Sequence, residues 1–203
     1  MSELSGLQRH ASSAVTRGAP TLATERLSLR ELRLDDAGAV AEGAGDKRVA
    51  KYLIQVPSPY PVALARRWVT ARIAWWEDGR GATLAITRRT QTRQLLGTVS
   101  LRVFARDRRA ELGYWLSANA WNFGFATEAC RAIVDFGFRE LGLARIYAQV
   151  LSGNTASEHV LDKLGMTREG AKRQHIKKGK KLLDVVLYGL LRDEWPSAAS
   201  ADD

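Results

Sequence analysis

Apolar and charged positions follow helical periodicity from Phe125 onward, directly after a short loop at 121–124 that contains Gly124. The apolar face of this predicted helix carries Ala126, Ala129, Cys130, Ile133 and Gly137. The opposite face carries Glu128, Arg131, Asp135 and Arg139. A strand-like run at 110–116 precedes the loop, and the order strand, loop and helix N-terminus presents free backbone N–H groups to an anion such as phosphate. The same pattern is also typical of an ordinary tight turn.

A second strand and helix follow in the same order. Residues 145–150 alternate like a strand, Asn154 suits the N-cap of a helix that ends at Leu164, and Gly165 suits its left-handed C-cap. Elsewhere the pattern predicts strands at 26–33, 81–88, 95–104, 166–172 and 183–191, and helices within 35–52 and at 62–77. The last two strands are expected to form a hairpin around Gly179.

Length and composition indicate one globular domain. The chain has 203 residues, 45% of them hydrophobic, which allows a sizeable core. We expect the domain to span 21–196, between a disordered leader at 1–20 and a disordered tail at 197–203. No apolar run is long enough for a membrane span, and the first twenty residues do not resemble a secretory signal peptide.

The chain offers little for disulfide or metal chemistry. It has one cysteine and three histidines, and they form no pattern of metal ligands, so we expect no metal site. Cys130 lies on the apolar face of its helix and is predicted to be a core residue. These features favour a reducing cytoplasm.

Several ordered motifs resemble the GNAT superfamily of acyl-CoA N-acyltransferases, and within it the RimJ/RimL ribosomal-protein N-terminal acetyltransferases. The resemblance covers 21–196. Its motifs are Thr24-Glu25-Arg26-Leu27, the run from Glu111 to Leu116, Gly124-Phe125-Ala126-Thr127-Glu128-Ala129, Asn154-Thr155-Ala156-Ser157, the run from Leu161 to Met166, and Tyr188-Gly189-Leu190-Leu191. It implies an α+β fold with a mixed, mostly antiparallel central sheet of six to seven strands flanked by helices. The sheet is expected to splay between the strands at 110–116 and 144–150.

The resemblance also implies a binding site for acetyl-CoA. We expect the loop and helix start to bind its pyrophosphate through backbone N–H groups, with Gly124 allowing close approach. The residues of this site are Asn122, Phe123, Gly124, Phe125, Ala126 and Thr127. The backbone of Trp115 and Leu116 is expected to bind the pantetheine arm. Asn154 is interpreted either as a helix N-cap or as a side-chain contact to that arm.

Glu111 and Ser157 are the candidate catalytic residues. Ser157 stands near the position where the superfamily often has Tyr as the acid for the departing thiolate, and its hydroxyl could hydrogen-bond the sulfur. Glu111 could be the base or could orient the amine, because it alternates away from Leu112 on the strand that leads to the donor site. Ordinary packing for Ser157 and a surface ion pair for Glu111 remain the alternatives.

Three further features could concern the acceptor. Trp68, Trp75 and Trp76 have the spacing of a core-facing stripe, although they could also line an acceptor cleft. Tyr188 is predicted to be core, with a wall or hydrogen-bond role as the alternative. Residues 168–181 hold seven Lys and Arg and one Glu, a net charge of +6. The hairpin Lys172–Lys181 could therefore contact an acidic peptide, RNA or the ribosome, or be a solvated turn.

Together these features predict an acetyl-CoA-dependent N-acetyltransferase that acts on a primary amine by direct attack in a ternary complex. A protein N-terminal α-amine is the first candidate acceptor, and a small amine such as an antibiotic or polyamine is the second. A non-catalytic ribosome- or RNA-binding relative is the alternative from another class. The absence of a G-x-G-x-x-G motif argues against a dinucleotide-binding oxidoreductase. Monomer and homodimer both remain open.

Overall fold

An eight-stranded sheet with helices on both faces forms the described part of the chain, residues 18–196 of a computed structural model. The strands are β1 Leu22–Ala23, β2 Leu27–Glu31, β3 Gly81–Arg88, β4 Gly97–Phe104, β5 Arg109–Leu116, β6 Arg145–Leu151, β7 Thr167–Lys178 and β8 Lys181–Leu191. The helices are α1 Ala37–Gly45, α2 Lys47–Ala50, α3 Val62–Glu77, α4 Phe125–Arg139 and α5 Thr155–Lys163. Most of the predicted leader and all of the predicted tail lie outside the described residues.

The spatial order of the strands is β1-β2-β3-β4-β5-β6-β8-β7. Every neighbouring pair is antiparallel except β5 and β6, which are parallel. The predicted mixed, mostly antiparallel sheet is therefore confirmed, with eight strands instead of six to seven. The additional strand, β1, has only two residues, which is too short for alternation to be recognised in a sequence.

The predicted splay lies between β5 and β6. Their register pairs Arg109–Leu112 with residues 145–148, and the pairing stops there. Residues 113–116 of β5 remain paired with β4 on the other side. The two central strands thus share hydrogen bonds over their first halves and separate over their second halves, directly before the loop that leads into α4.

Two apolar clusters pack on opposite faces of this sheet. The larger one joins α4 and α5 to alternating strand residues and includes Leu112 and the fully buried Cys130, which confirms the core prediction for that cysteine. The smaller one joins α1 and α3 to the other face. Trp76 packs against the larger cluster and Trp68 against the smaller one, as predicted. Trp75 is half-buried like the other two but is not among the residues packed against either cluster, and the guanidinium of Arg72 lies over its ring at 3.5 Å.

The C-terminal hairpin differs from the prediction in the length of its first strand. β7 extends to Lys178 instead of ending near residue 172, with register shifts between Arg168 and Gly170 and between Lys172 and Ile176. Such irregularities and many charges are typical of an edge strand, where one side is open to solvent. Within residues 18–196, no helix is long and apolar enough to cross a membrane.

Candidate active site

The loop between β5 and α4 has the backbone geometry of an anion-binding turn. Asn122 and Gly124 both have positive φ, 65° and 78°. No side chain caps α4, and the backbone N–H of Glu128 donates to the carbonyl of Gly124 at 3.1 Å. The N–H groups of Gly124 and of the first three helical residues therefore have no partner within the helix. Together with the positive end of the helix dipole, they can bind a phosphate.

An ion-pair cluster holds this loop in place from the β1–β2 turn. Arg26 donates from Nη1 to the carbonyl of Phe123 at 2.9 Å and from Nε to Glu128 Oε2 at 2.7 Å. The hydroxyl of Thr24 donates to the other oxygen of Glu128 at 2.5 Å. Burial raises the pKa of Glu128, but the hydrogen bonds from Thr24 and Arg26 outweigh it, so the net shift is downward. The carboxylate is thus held ionised in the first turn of α4.

Glu111 lies one residue before the point where β5 and β6 separate. Its Oε1 accepts a hydrogen bond from Gln149 Nε2 of β6 at 3.1 Å. Its side chain is half-buried on the sheet face opposite α4. The next residue, Leu112, points to the other face and is buried against the larger cluster. The carboxylate is therefore oriented by a neighbouring strand at the edge of the opening, as a base or an amine-binding group would need to be.

Ser157 lies on the other side of the same opening, where it meets Tyr114. The hydroxyl oxygens of the two residues are 2.7 Å apart, a hydrogen bond in which either can donate, and the backbone carbonyl of Ser157, 3.1 Å from the Tyr114 hydroxyl, is the alternative acceptor for the single Tyr114 proton. Burial raises the pKa of Tyr114 well above its usual range, so its hydroxyl keeps its proton. A pair of neutral hydroxyl groups can donate to an anion that develops nearby, such as a thiolate.

The other predicted donor-site residues surround this opening. Asn154 caps α5, since its side-chain oxygen accepts from the N–H of Ser157 at 3.4 Å. The long distance makes this a weak hydrogen bond. The carbonyl of Leu116 accepts from the indole of Trp121 at 2.9 Å, which uses one of its two lone pairs. The side chain of Trp115 packs against the smaller cluster, so any contact of Trp115 with the pantetheine would come from its backbone.

A groove of about 760 Å³ follows the exposed side of α4 from Gly124 and Thr127 toward Trp195. Its charged lining residues are Glu25, Arg26, Glu128, Arg131, Asp135, Arg139 and Lys163. Neither Glu111 nor Ser157 borders it. The groove therefore adjoins the phosphate-binding loop, whereas the opening between β5 and β6 holds the two candidate catalytic residues.

Tyr188 and the basic hairpin were the other candidates for the acceptor side. Tyr188 is a core residue, as predicted, and its hydroxyl also donates to Glu158 at 3.1 Å. Within the basic hairpin, the ammonium group of Lys178 donates to the carbonyls of Ala50 and Leu53. Lys178 is thus held against the end of α2, and it differs from the exposed lysines around it.

Sequence reasoning missed three participants in this site: the Arg26–Glu128 pair, Tyr114 and Gln149. Arg26 stood in a recognised motif without an assigned role, and its partner is 102 residues away in the chain. Tyr114 lies two residues after Leu112, on the same face of the strand, which is typical of a core residue. Only the strand pairing indicates that Gln149 faces Glu111.

Comparison with known proteins supports this interpretation of the fold. Residues 26–167, more than half of the chain, match the model of the acetyltransferase (GNAT) domain family. The uncharacterized N-acetyltransferase p20 of Bacillus licheniformis is 35% identical over 176 residues, which cover 86% of this chain and 98% of that protein.

Solved structures of known proteins show the same fold. A GNAT-family acetyltransferase from Bacillus anthracis superposes with a TM-score of 0.76 at 27% identity, covering 86% of this chain and 100% of that one. The ribosomal L7/L12 alpha-N-protein acetyltransferase RimL, bound to coenzyme A, superposes with a TM-score of 0.77, covering 86% of this chain and 99% of that one. At 18% identity, the likeness to RimL shows a shared fold.

Replacement of Gly124 by Val should weaken binding of acetyl-CoA by at least about tenfold while the fold persists. At a φ of 78° a β-branched residue is strained, and its Cβ would lie 3.4 Å from the guanidinium of Arg26. Calorimetric titration with acetyl-CoA measures the effect. Gly179→Val, which also has positive φ but lies at the hairpin turn, is the control. Unchanged affinity in a folded Gly124 variant would contradict the assignment of this loop.

Glu128→Gln should destabilise the protein by about 1.5 kcal/mol at neutral pH, because a hydrogen-bonded ionic group is replaced by a neutral one. The folded-state pKa of Glu128 is lowered, so its contribution is complete above the ordinary glutamate pKa of about 4.3. The contribution declines as the pH falls below that value toward the folded-state pKa. Urea unfolding from pH 3 to pH 7 tests this, with the exposed Glu140→Gln as control. A loss that does not depend on pH would argue against an ionised Glu128.

Proposed function

We propose that this chain, which belongs to the GNAT acetyltransferase family, transfers an acetyl group from acetyl-CoA to the N-terminal α-amine of a protein or peptide. It is an N-acetyltransferase of GNAT type, and acetyltransferases of this family use acetyl-CoA. The observation that carries the proposal is the opening between β5 and β6, with Glu111 on one side and the hydroxyl groups of Ser157 and Tyr114 on the other.

The donor is proposed to bind along the backbone of the β5–α4 connection. The uncapped start of α4, with Asn122, Phe123, Gly124, Phe125, Ala126 and Thr127, would bind the pyrophosphate. The unpaired edge of β5 at Trp115 and Leu116, together with the amide of Asn154, would bind the pantetheine arm through hydrogen bonds. This arrangement would bring the thioester to the opening, where the strands no longer bond to each other.

In the proposed reaction the neutral amine attacks the thioester carbonyl directly. A C–N bond forms, the C–S bond breaks, and the amine loses a proton to Glu111, either directly or through a water molecule. An α-amino group with a pKa near 8 is roughly 10% neutral at pH 7, whereas a lysine side chain is less than about 0.1% neutral. A single carboxylate is a weak base, so it is better suited to an N-terminal α-amine than to a lysine side chain.

The departing thiolate is proposed to receive its hydrogen bond from Ser157. If Tyr114 donates to the hydroxyl oxygen of Ser157, the Ser157 proton is free to point toward the sulfur. Since a thiol has a pKa of about 8.5, a hydrogen bond is enough to make the thiolate an adequate leaving group. No metal ion is needed for these steps, and the described residues include no cluster of three or more potential metal ligands.

The proposed acceptor follows from a structural neighbour. The structural neighbour RimL is described as an alpha-N-protein acetyltransferase, which favours a protein N-terminus and a cytoplasmic location. A small amine is the second candidate within the same chemistry. Contact with RNA or the ribosome through Lys172–Lys181 would depend on the exposed cations Lys172, Arg173, Lys177, Lys180 and Lys181, because Lys178 is held by backbone carbonyls.

Thiol release from acetyl-CoA should occur with peptides that have a free N-terminal α-amine. The same peptides with an acetylated N-terminus and one internal lysine should give at least about a hundredfold less product, given the difference in neutral amine. Mass spectrometry of the products identifies the acetylated nitrogen. Turnover of polyamines or aminoglycosides without turnover of any peptide would instead support the small-amine alternative.

Glu111→Gln should lower kcat by about a hundredfold or more, the usual contribution of a general base, and leave affinity for acetyl-CoA nearly unchanged. Steady-state kinetics between pH 5 and pH 9 measures both effects, and Glu140→Gln is the matched control on the exposed surface. Normal turnover of the variant between pH 6 and pH 8 would remove Glu111 from the base role.

A further inference from the structure

The sheet face that carries Glu111 also carries a group of arginines interleaved with aromatic rings, which we call the arginine surface. It consists of Arg72, Trp75, Arg80, Arg102, Phe104, Arg109 and Tyr147. Arg72 and Trp75 belong to α3, and Arg80 lies in the loop that follows it. The other four residues belong to β4, β5 and β6. The sequence separates them widely, and the fold brings them together beside the candidate base.

Strand pairing places the arginine surface directly next to Glu111. Arg102 of β4 is the cross-strand partner of Glu111, and Tyr147 of β6 is its partner on the other side. Directly opposite residues in an antiparallel pair have Cα atoms about 4.5–5.5 Å apart, with side chains on the same face. A molecule whose amine reaches Glu111 would therefore lie within reach of the exposed guanidinium of Arg102.

Two arginines of this surface have no carboxylate partner. Arg80 pairs with Asp78 and Arg109 with Asp107, but within residues 18–196 neither Arg72 nor Arg102 has a carboxylate within ion-pair distance. Burial and then the positive charges of Arg102 and Arg80 lower the pKa of Arg72 to about 10, so these cations lie close enough to repel one another. An anion bound between Arg72 and Arg102 would relieve that repulsion.

The rings of this surface are occupied by guanidinium groups, which affects the choice of partner. Arg72 covers Trp75 at 3.5 Å, and both Arg102 and Arg109 lie over Phe104, at 5.2 and 4.5 Å. Single-stranded nucleic acids are bound by stacking of bases on free aromatic faces. A guanidinium stacked on a ring instead keeps its in-plane N–H donors available, in the fork that matches a carboxylate. The surface is therefore better suited to acidic side chains than to RNA.

We propose that the arginine surface selects acceptors with a carboxylate close to the reactive amine, so that the substrates are peptides with Asp or Glu at the second or third residue. This inference rests on the proposed function and specifies its acceptor. An extended peptide advances about 3.3–3.6 Å per residue, so an amine at Glu111 places the next one or two side chains near Arg102. Arg102 and Arg72 would bind that carboxylate, while Glu111 receives the amine.

The test compares two acceptor peptides that differ only in having Asp or Asn as the second residue. The wild-type protein should favour the Asp peptide by about tenfold or more in kcat/KM, since a charge-assisted pair is worth at least that factor. Arg102→Gln should reduce the ratio of kcat/KM for the Asp peptide over the Asn peptide to about one. Arg93→Gln removes the same charge from the exposed β3–β4 loop at the other end of these strands and should keep the preference.

A second variant separates binding geometry from charge. Arg72→Lys keeps the positive charge but loses the planar fork stacked on Trp75, so it should reduce the ratio of kcat/KM for the Asp peptide over the Asn peptide. The wild-type preference should also shrink between 50 and 500 mM salt, because exposed charges are screened. Thermal unfolding of each variant verifies that it is folded.

Failure of this inference is distinguishable from failure of the proposed function. Equal acetylation of both peptides by the wild-type protein, or a preference that persists in Arg102→Gln, would overturn the role of the arginine surface and leave N-terminal acetylation intact. Acetylation of small amines alone would overturn the peptide acceptor itself. Binding of a single-stranded RNA oligonucleotide that Arg102→Gln abolishes, without any peptide preference, would assign the surface to nucleic acid instead.

Discussion

The loss of hydrogen bonding between β5 and β6 after Leu112 is the constraint on which the candidate site depends. Backbone groups in a sheet interior are nearly always paired, so the edge of β5 beyond Leu112, where pairing with β6 has ended, is suited to a ligand that pairs like a strand. The same separation places Glu111 on one face of the opening and the Tyr114–Ser157 pair on the other. Base and thiolate-binding groups can therefore act from opposite sides of one bond.

The loop proposed to bind phosphate, residues 121–124, depends on long-range contacts as well as on its own sequence. Positive φ at Asn122 and Gly124 curls the loop, but the carbonyl of Phe123 and the carboxylate of Glu128 are held by Arg26 from the β1–β2 turn. A binding site for a flexible, highly charged ligand gains affinity when its backbone is already ordered, because less entropy is lost on binding. The Arg26–Glu128 ion pair gives a physical reason for the Thr24–Leu27 motif.

Charge around the opening is distributed in a way that suits two different ligands. The groove beside α4 and the arginine surface lie on opposite sides of the sheet, and each holds several cations. On the donor face the cations adjoin the start of α4, and on the acceptor face they adjoin Glu111. The exposed cations of the hairpin contribute a third basic region, beside which Lys178 is held by the carbonyls of Ala50 and Leu53.

The sequence by itself determined the order of the elements, the helix start at Phe125 and the cap at Asn154, because these depend on local periodicity and capping. The mixed sheet was expected from the family resemblance, since the direction of strand pairing is not a local property. Glu111 and Ser157 were identified from sequence motifs. The tertiary structure decided that they lie on opposite sides of the opening between β5 and β6. Strand β1, the full length of β7 and the position of Trp75 depended on pairing and packing partners that local patterns do not contain. Contacts such as Arg26 with Glu128, Tyr114 with Ser157 and Arg102 beside Glu111 join distant segments. Only the folded sheet, which sets register and face, could bring them together.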